Sequence, residues 1–290
     1  MDKRFSHVLN VIADRADILA AKMRWIGEAQ WLSARRAFDI PVAGDPHTTI
    51  NEARDAIGST AADINVVPAE GRRKRLLVSD MESTIIACEC LDELADIAGI
   101  KPKIAAITER AMRGEIEFAG ALRERVGLLK GLPLDALERV WRDRVRLIPG
   151  AKALVATMKA NGAHTLLVSG GFTFFTARVA AAVGFDEHQS NVLLDDGTVL
   201  TGAVGEPILG REAKLEALER ALALHGLKPQ DALAVGDGAN DLAMIQRAGL
   251  GVAYHAKPVV AADAGASIAH NDLTALLYLQ GYRDEEFVKA

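Results

Sequence analysis

Leu76-Leu77-Val78-Ser79-Asp80-Met81-Glu82-Ser83-Thr84 is an apolar run that ends abruptly in a carboxylate, with a second carboxylate and two hydroxyls directly behind it. Its length and composition suit a buried strand. Asp80 then falls at the C-terminal mouth of that strand, where open α/β sheets bind ligands. Two carboxylates one residue apart can divide labour, one attacking while the other trades protons. Ala232-Leu233-Ala234-Val235-Gly236-Asp237 repeats the design, and Asn240 and Asp241 follow it. A third apolar segment, Thr165–Ser169, runs into Gly170 and Gly171.

From Arg75 onward strands alternate with helices, the pattern of a Rossmann-like parallel sheet with helices on both faces. Strands are expected at 76–80, 165–169, 232–237 and 249–254. The interval from about 91 to 143 is helical and too long for a simple crossover. It reads as an inserted helical cap, about residues 88–148, with breaks near Gly99-Ile100-Lys101-Pro102, Gly114 and Gly131-Leu132-Pro133. Residues 191–202 alternate around Asp196-Gly197, a hairpin signal.

Residues 1–72 have another texture. A strand is expected at 8–12. A helix is expected at 17–25, with Ile18, Ala21 and Trp25 on one face. Residues 31–42 read as one extended run. A helix at 48–57 has Thr49 or Asn51 as its cap, and Pro68 closes a strand at 63–67. The expected fold class is therefore α/β: a parallel-sheet domain over 73–290 with a helical cap, preceded by a small α+β domain over 1–72. That first domain looks one strand short and carries no catalytic constellation, so its expected role is regulation or homodimerisation.

The 290 residues are half hydrophobic and one quarter charged, which suits a globular chain with a sizeable core. A net charge of -5 argues against a nucleic-acid partner. The one dense basic run, Arg72-Arg73-Lys74-Arg75, reads as a solvated linker. No stretch approaches the length of a membrane span and the first residues lack a signal-peptide layout, so no membrane partner is expected. Cys88 and Cys90 are the only cysteines, too few for a structural zinc site or a disulfide framework. They favour a reducing, cytoplasmic setting. The seven histidines show no metal-ligand spacing.

If the three strands are parallel neighbours, their C-terminal residues converge. Asp80, Glu82, Asp237 and Asp241 then supply carboxylates for a hard divalent cation. Ser169, the backbone N–H groups around Gly170 and the Lys214 ammonium supply donors for phosphate oxygens. That inventory suits phosphoryl transfer, where positioning and charge neutralisation do most of the work. Singly, each residue has a plainer reading as a cap, a turn residue or a solvated lysine. Arg125 is an independent marker. Phe118, Leu122, Arg125 and Leu129 share one helix face, and an arginine on an apolar face needs a partner. A substrate carboxylate gripped by two hydrogen bonds is one partner, and a structural ion pair is the other.

These residues resemble the haloacid dehalogenase (HAD) superfamily of phosphohydrolases and, within it, the phosphoserine phosphatase family. The resemblance runs from about Arg75 to the C-terminus. It rests on Asp-Met-Glu-Ser-Thr at 80–84, Cys-Glu-Cys-Leu-Asp-Glu-Leu-Ala at 88–95, Ala-Met-Arg-Gly-Glu-Ile-Glu-Phe at 111–118 and Leu-Arg-Glu-Arg-Val at 122–126. Val-Ser-Gly-Gly-Phe at 168–172 and Val-Gly-Asp-Gly-Ala-Asn-Asp at 235–241 complete it. The first domain is similar to a reduced form of the small, ACT-like ligand-binding domains found ahead of this enzyme in bacteria.

The resemblance implies hydrolysis of O-phospho-L-serine through an aspartyl-phosphate on Asp80. Glu82 is then the general acid and base. Mg²⁺ is implied on Asp80, Asp237 and the Glu82 backbone carbonyl, with Asp241 acting through a water. Ser169, Gly170, Lys214 and Asn240 fall at phosphate-side positions. Glu89 is implied at the substrate amine, Arg125 at its carboxylate, and Met112 and Phe118 in the pocket wall. Glu82 departs from the usual pattern, which has Asp there. One extra methylene leaves the backbone carbonyl in place but moves the carboxyl by about 1 Å, and such a shift can cost ~100-fold in rate. Two other readings stay open: a phosphatase of this fold for another small ester, and a non-catalytic phospho-ligand-binding regulator.

Overall fold

In the computed structural model, which describes residues 5–289, the chain opens with four short strands. They are β1 (His7–Ile12), β2 (Gln30–Ser33), β3 (Ala37–Val42) and β4 (Asp63–Pro68), paired antiparallel in the order β2-β3-β1-β4. Helices Ala16–Lys22 and Pro46–Ile57 pack against Leu9, Val11, Phe38 and Ile40 on one face. The connectivity is the β-α-β-β-α-β ferredoxin-like unit.

Three expectations are corrected here. The run 31–42 is two strands, so the unit is not one strand short. The chain reverses at Ala34-Arg35-Arg36, with Arg35 at φ 63, and no Gly, Asn or Asp announces that turn. The first helix buries Ala16, Leu19 and Met23 and leaves Ile18 and Trp25 exposed. Both triplets have the same spacing, so periodicity alone could not choose between them. The second helix begins at Pro46, and its cap is Asp45, whose side chain accepts the Thr48 N–H at 2.8 Å.

Six parallel strands form the main sheet. In chain order they are β5 (Leu76–Ser79), β6 (His164–Phe172) and β7 (Glu187–Asn191). A separate hairpin, β8 (Leu193–Asp195) and β9 (Leu200–Val204), comes next, and then β10 (Ala232–Gly236), β11 (Leu250–Tyr254) and β12 (Ala266–Ile268). The sheet order is β12-β11-β10-β5-β6-β7, parallel throughout. The edge strands β7 and β12 lack the apolar runs that mark the central four. Leu76, Val78, Leu166 and Val168 bury against Ala217, Leu218, Ala221 and Leu222 of helix Arg211–His225. Leu77, Leu167, Leu233 and Val235 alternate onto the opposite face, in the largest core cluster.

Between β5 and β6 lie cap helices Cys90–Ile97, Lys101–Met112, Phe118–Gly127 and Asp135–Asp143. Gly99, Gly114 and Gly131 adopt positive φ at the expected breaks. The β8–β9 hairpin clamps the cap base: the Gly131 N–H donates to the Leu200 carbonyl at 2.8 Å, and the Leu200 N–H to the Leu132 carbonyl at 2.9 Å.

The second face of the first sheet packs on the main body, where Val8 and Ile12 join the large core. Between them Asn10 donates to Asp39 at 2.8 Å and to the Tyr278 carbonyl at 3.2 Å. Two residues of the basic run, Arg72 and Lys74, belong to this joint and are not solvated, whereas Arg73 and Arg75 are exposed. Arg72 pairs with buried Asp39 at 2.5 Å and donates to the Leu279 and Tyr278 carbonyls, while buried Lys74 donates to the Gly71 and Gln230 carbonyls. Arg73 lies over the Tyr282 ring. No helix among the described residues is long and apolar enough to cross a membrane.

Candidate active site

The central strand β5 has β10 on one side and β6 on the other. Chain order reverses between β5 and β10, which opens a crevice at the carboxyl ends of the strands. The Asp80 N–H donates to the Val235 carbonyl at 3.0 Å and fixes the two strand ends in register. One carboxylate oxygen from each of Asp80, Asp237 and Asp241 lies within 4.8 Å of the others. Lys214, in the first turn of helix Arg211–His225 and 3% exposed, reaches up between two of them. Its Nζ is 2.5 Å from Asp80 Oδ1 and 2.5 Å from Asp241 Oδ1. Asp241 also accepts the Gly238 N–H at 3.0 Å. A Cβ on Gly236 would stand 2.3 Å from the Asp241 carboxyl carbon, so only glycine lets β10 pass so close.

Burial raises the Asp80 carboxyl to about 7; Lys214 opposes the shift, and Asp241 and Asp237 add to it. Burial and then Asp241 lift Asp237 to about 6. Burial works against the Lys214 ammonium, but the Asp80 and Asp241 carboxylates outweigh it and hold its pKa above the ordinary lysine value.

Glu82 sits beside this group. Its Oε1 accepts the Cys90 N–H at 2.7 Å, and its Oε2 lies 2.9 Å from where a Gly171 side chain would begin. Burial, then the neighbouring Glu89 carboxylate, push the Glu82 carboxyl up to about 8. Ser83 follows in the left-handed region, φ 57, and its hydroxyl donates to Glu89 at 2.7 Å. The Ser169 hydroxyl accepts the Gly171 N–H at 2.9 Å.

A cavity of about 460 Å³ lies between this sheet edge and the cap. Asp80, Glu82, Gly170, Asp237 and Asn240 line its floor; Glu89, Met112, Phe118 and Arg125 approach from the cap. Ser169, Lys214 and Asp241 lie beneath the floor and do not line it. Arg125 is half-buried, and its Nε donates to the Ala121 carbonyl at 3.3 Å. Burial pushes its pKa down, while Asp92, Glu82 and Glu89 pull the other way. Among the described residues its guanidinium forms no ion pair. Its neighbours Arg123 and Glu124 are taken outside, by Glu206 at 2.7 Å and Arg110 at 2.9 Å. Sequence reasoning missed Asp92 and the tightness of Gly171. An acid in the first turn of a helix is ordinarily explained by the dipole, and a glycine's lack of space shows only in three dimensions.

The sequence model described as haloacid dehalogenase-like hydrolase matches residues 77–246. This chain belongs to the haloacid dehalogenase-like hydrolase family. Within the family, a phosphoserine phosphatase from Polaromonas is 49% identical over 210 residues, spanning 71% of this chain and 89% of that protein. A solved structure of a probable phosphoserine phosphatase from Vibrio cholerae is 30% identical with a TM-score of 0.81, over 97% of this chain and 88% of that one. A structure of a phospho-aspartyl intermediate analogue of phosphoserine phosphatase is 37% identical with a TM-score of 0.65, over 71% of this chain and 98% of that one. In this hydrolase the converging donors are carboxylate oxygens with no nitrogen or sulfur among them, the donor set of a hard divalent cation.

Proposed function

We propose that this chain acts as a Mg²⁺-dependent phosphoserine phosphatase, releasing L-serine and phosphate from O-phospho-L-serine as the closing step of serine synthesis. Arg125 carries the substrate assignment. A half-buried guanidinium, without an ion-pair partner among the described residues, lines the same cavity as Glu89 and Asp80. A cation and an anion in one cavity with the carboxylates of the strand ends suit a zwitterionic amino-acid phosphate. Guanidinium grips the carboxylate, and Glu89 takes the ammonium.

In this reading Asp80 attacks phosphorus and forms an aspartyl-phosphate, as the intermediate analogue of the related phosphatase suggests. Mg²⁺ held by Asp80, Asp237, the Glu82 carbonyl and, through water, Asp241 would offset the repulsion between nucleophile and ester. Lys214 fixes the attacking carboxylate and, with Ser169, Gly170 and Asn240, serves the phosphoryl oxygens. Glu82, whose raised pKa keeps it protonated at pH 7, donates to the leaving serine oxygen. It then takes a proton from the water that cleaves the intermediate. Residues 73–290, with the cap at 88–148, form the catalytic part of this scheme, and residues 1–72 a regulatory unit. The free Cys88 and Cys90 thiols fit a cytoplasmic setting.

Phosphate release from phosphoserine and from p-nitrophenyl phosphate tests the assignment. Arg125→Ala is expected to raise KM for phosphoserine by at least about tenfold, the worth of one charge-assisted hydrogen bond, and to leave the aryl ester unchanged. Asp80→Asn is expected to abolish both activities. Equal losses on the two substrates in Arg125→Ala would remove phosphoserine as the substrate and leave the phosphatase.

A further inference from the structure

At the opposite edge of the main sheet a second group of ligating side chains converges. His164 opens β6, Glu187 opens β7, and His225 ends helix Arg211–His225. They are far apart in sequence, which is why no ligand spacing marks them. In the fold, one ligating atom from each lies within 4.8 Å of the other two. His164 Nε2 is 3.0 Å from Glu187 Oε1, and the two imidazole rings lie 4.1 Å apart between centroids.

We propose that His164, Glu187 and His225 form a second metal site, for a late first-row divalent cation such as Zn²⁺, with water completing the shell. Two imidazoles and one carboxylate with an open fourth position are a recognised zinc set, whereas Mg²⁺ prefers oxygen donors alone. Tetrahedral zinc places its ligand atoms about 3.3 Å apart, given bonds of about 2.0–2.1 Å. Exposed His225 and Glu187 close the remaining distance by side-chain rotation.

Two features argue that the convergence is built. The first is a carboxylate behind the ligand. Asp186 Oδ2 stands 3.7 Å from His164 Nδ1, leaving Nε2 to face Glu187. Asp186 is itself held in place: it accepts the Thr165 N–H and hydroxyl, both at 2.9 Å, and pairs with Lys159 at 2.6 Å. At 3.7 Å that carboxylate acts on the imidazole through charge and not through a hydrogen bond, from the side of the ring away from the ligating nitrogen. The second is the helix end. His225 is the last helical residue, where the backbone dipole favours a cation. The same helix carries Lys214 about three turns earlier. An ion here ties β6, β7 and that helix together at the end remote from the cavity.

Equilibrium dialysis of the full chain against Zn²⁺, with Mg²⁺ in large excess, tests the site. A Co²⁺ titration in the same buffer reads its visible absorption. One tightly held Zn²⁺ is expected in the wild type and also in Asp237→Asn, which weakens the acidic cluster and leaves the histidines alone. His225→Ala is expected to bind that ion at least tenfold more weakly and to lose the low-symmetry Co²⁺ band. Asp186→Asn, which removes only a nearby charge, is expected to weaken it by less than His225→Ala does. Zn²⁺ is expected to raise the melting temperature of the wild type but not of His225→Ala. His225→Ala binding Zn²⁺ as tightly as the wild type, or Asp237→Asn retaining none, overturns the site.

Discussion

Glu82 is the residue on which the chemistry turns. It is longer by one methylene than the aspartate that the family resemblance implies there, yet its carboxyl is seated by the Cys90 N–H and by Gly171. Its pKa, raised to about 8, leaves the donating form dominant at pH 7. That form is lost as pH rises through the raised value, so turnover of phosphoserine is expected to fall on the alkaline side. Glu82→Gln is expected to lack that limb and to lose about 10²–10⁴-fold in kcat. With p-nitrophenyl phosphate, whose leaving group needs no proton, the same variant is expected to release a burst of one p-nitrophenolate per chain and then stall. No burst, or a loss below tenfold on phosphoserine, would take Glu82 out of proton transfer. Gly236 is the second test. A methyl group there meets the Asp241 carboxyl, and displacement of about 1 Å costs ~100-fold. Gly236→Ala is expected to lower kcat by about that factor and to raise the Mg²⁺ needed for half-activation; wild-type Mg²⁺ dependence would show that Asp241 tolerates the shift.

Among the elements, the β8–β9 hairpin does more than its exposed position suggests, because it holds the base of the cap. Asp196 organises its turn by accepting the Thr198 hydroxyl and the Thr198 and Val199 N–H groups. Those bonds hold its carboxyl down to about 2. A depressed carboxyl contributes above its unfolded pKa, about 3.9, and the contribution disappears as pH falls through the folded value. Asp196→Ala is therefore expected to speed amide exchange at Thr198, Val199 and Leu200 by at least about tenfold near pH 6, a local opening. Unchanged exchange would show that strand pairing alone holds the turn. This hairpin was legible because Asp196-Gly197 is a chemical signal for one backbone shape. The β2–β3 turn was not, since Arg35 takes its left-handed conformation without any residue that favours it. The central strands could be read from their apolar runs, whereas polar β7 could not. Asp80, Glu82, Asp237 and Arg125 stood out because carboxylates at strand mouths and a cation on an apolar face conflict with burial alone. Asp92 conflicts with nothing local.

At the scale of the whole molecule, the two sheets share a joint that sequence reasoning took for a solvated linker. A run of four basic residues looks like surface until its partners are known, and those partners lie in distant segments. Asp39 is in β3, and the accepting carbonyls are near the C-terminus. Asp63 binds the same joint from β4, accepting the N–H groups of Ala269, His270 and Asn271. With Val8 and Ile12 in the main core, the first unit is expected to unfold with the rest, as a single calorimetric transition. The Asp39 and Arg72 side chains are only 6% and 11% exposed, so removing one partner strands a buried charge. Asp39→Ala is expected to cost about 3–5 kcal/mol. At about 2–4 °C per kcal/mol for a chain of this size class, melting should fall by roughly 10 °C. Asp39→Ala combined with Arg72→Met removes both charges and should recover much of that loss, because the pair itself is worth far less than an orphaned arginine. A double variant no more stable than Asp39→Ala would mean that Arg72 acts through the Leu279 and Tyr278 carbonyls and not through its charge partner. A low-temperature transition in the wild type would mean that the first sheet folds as a separate module.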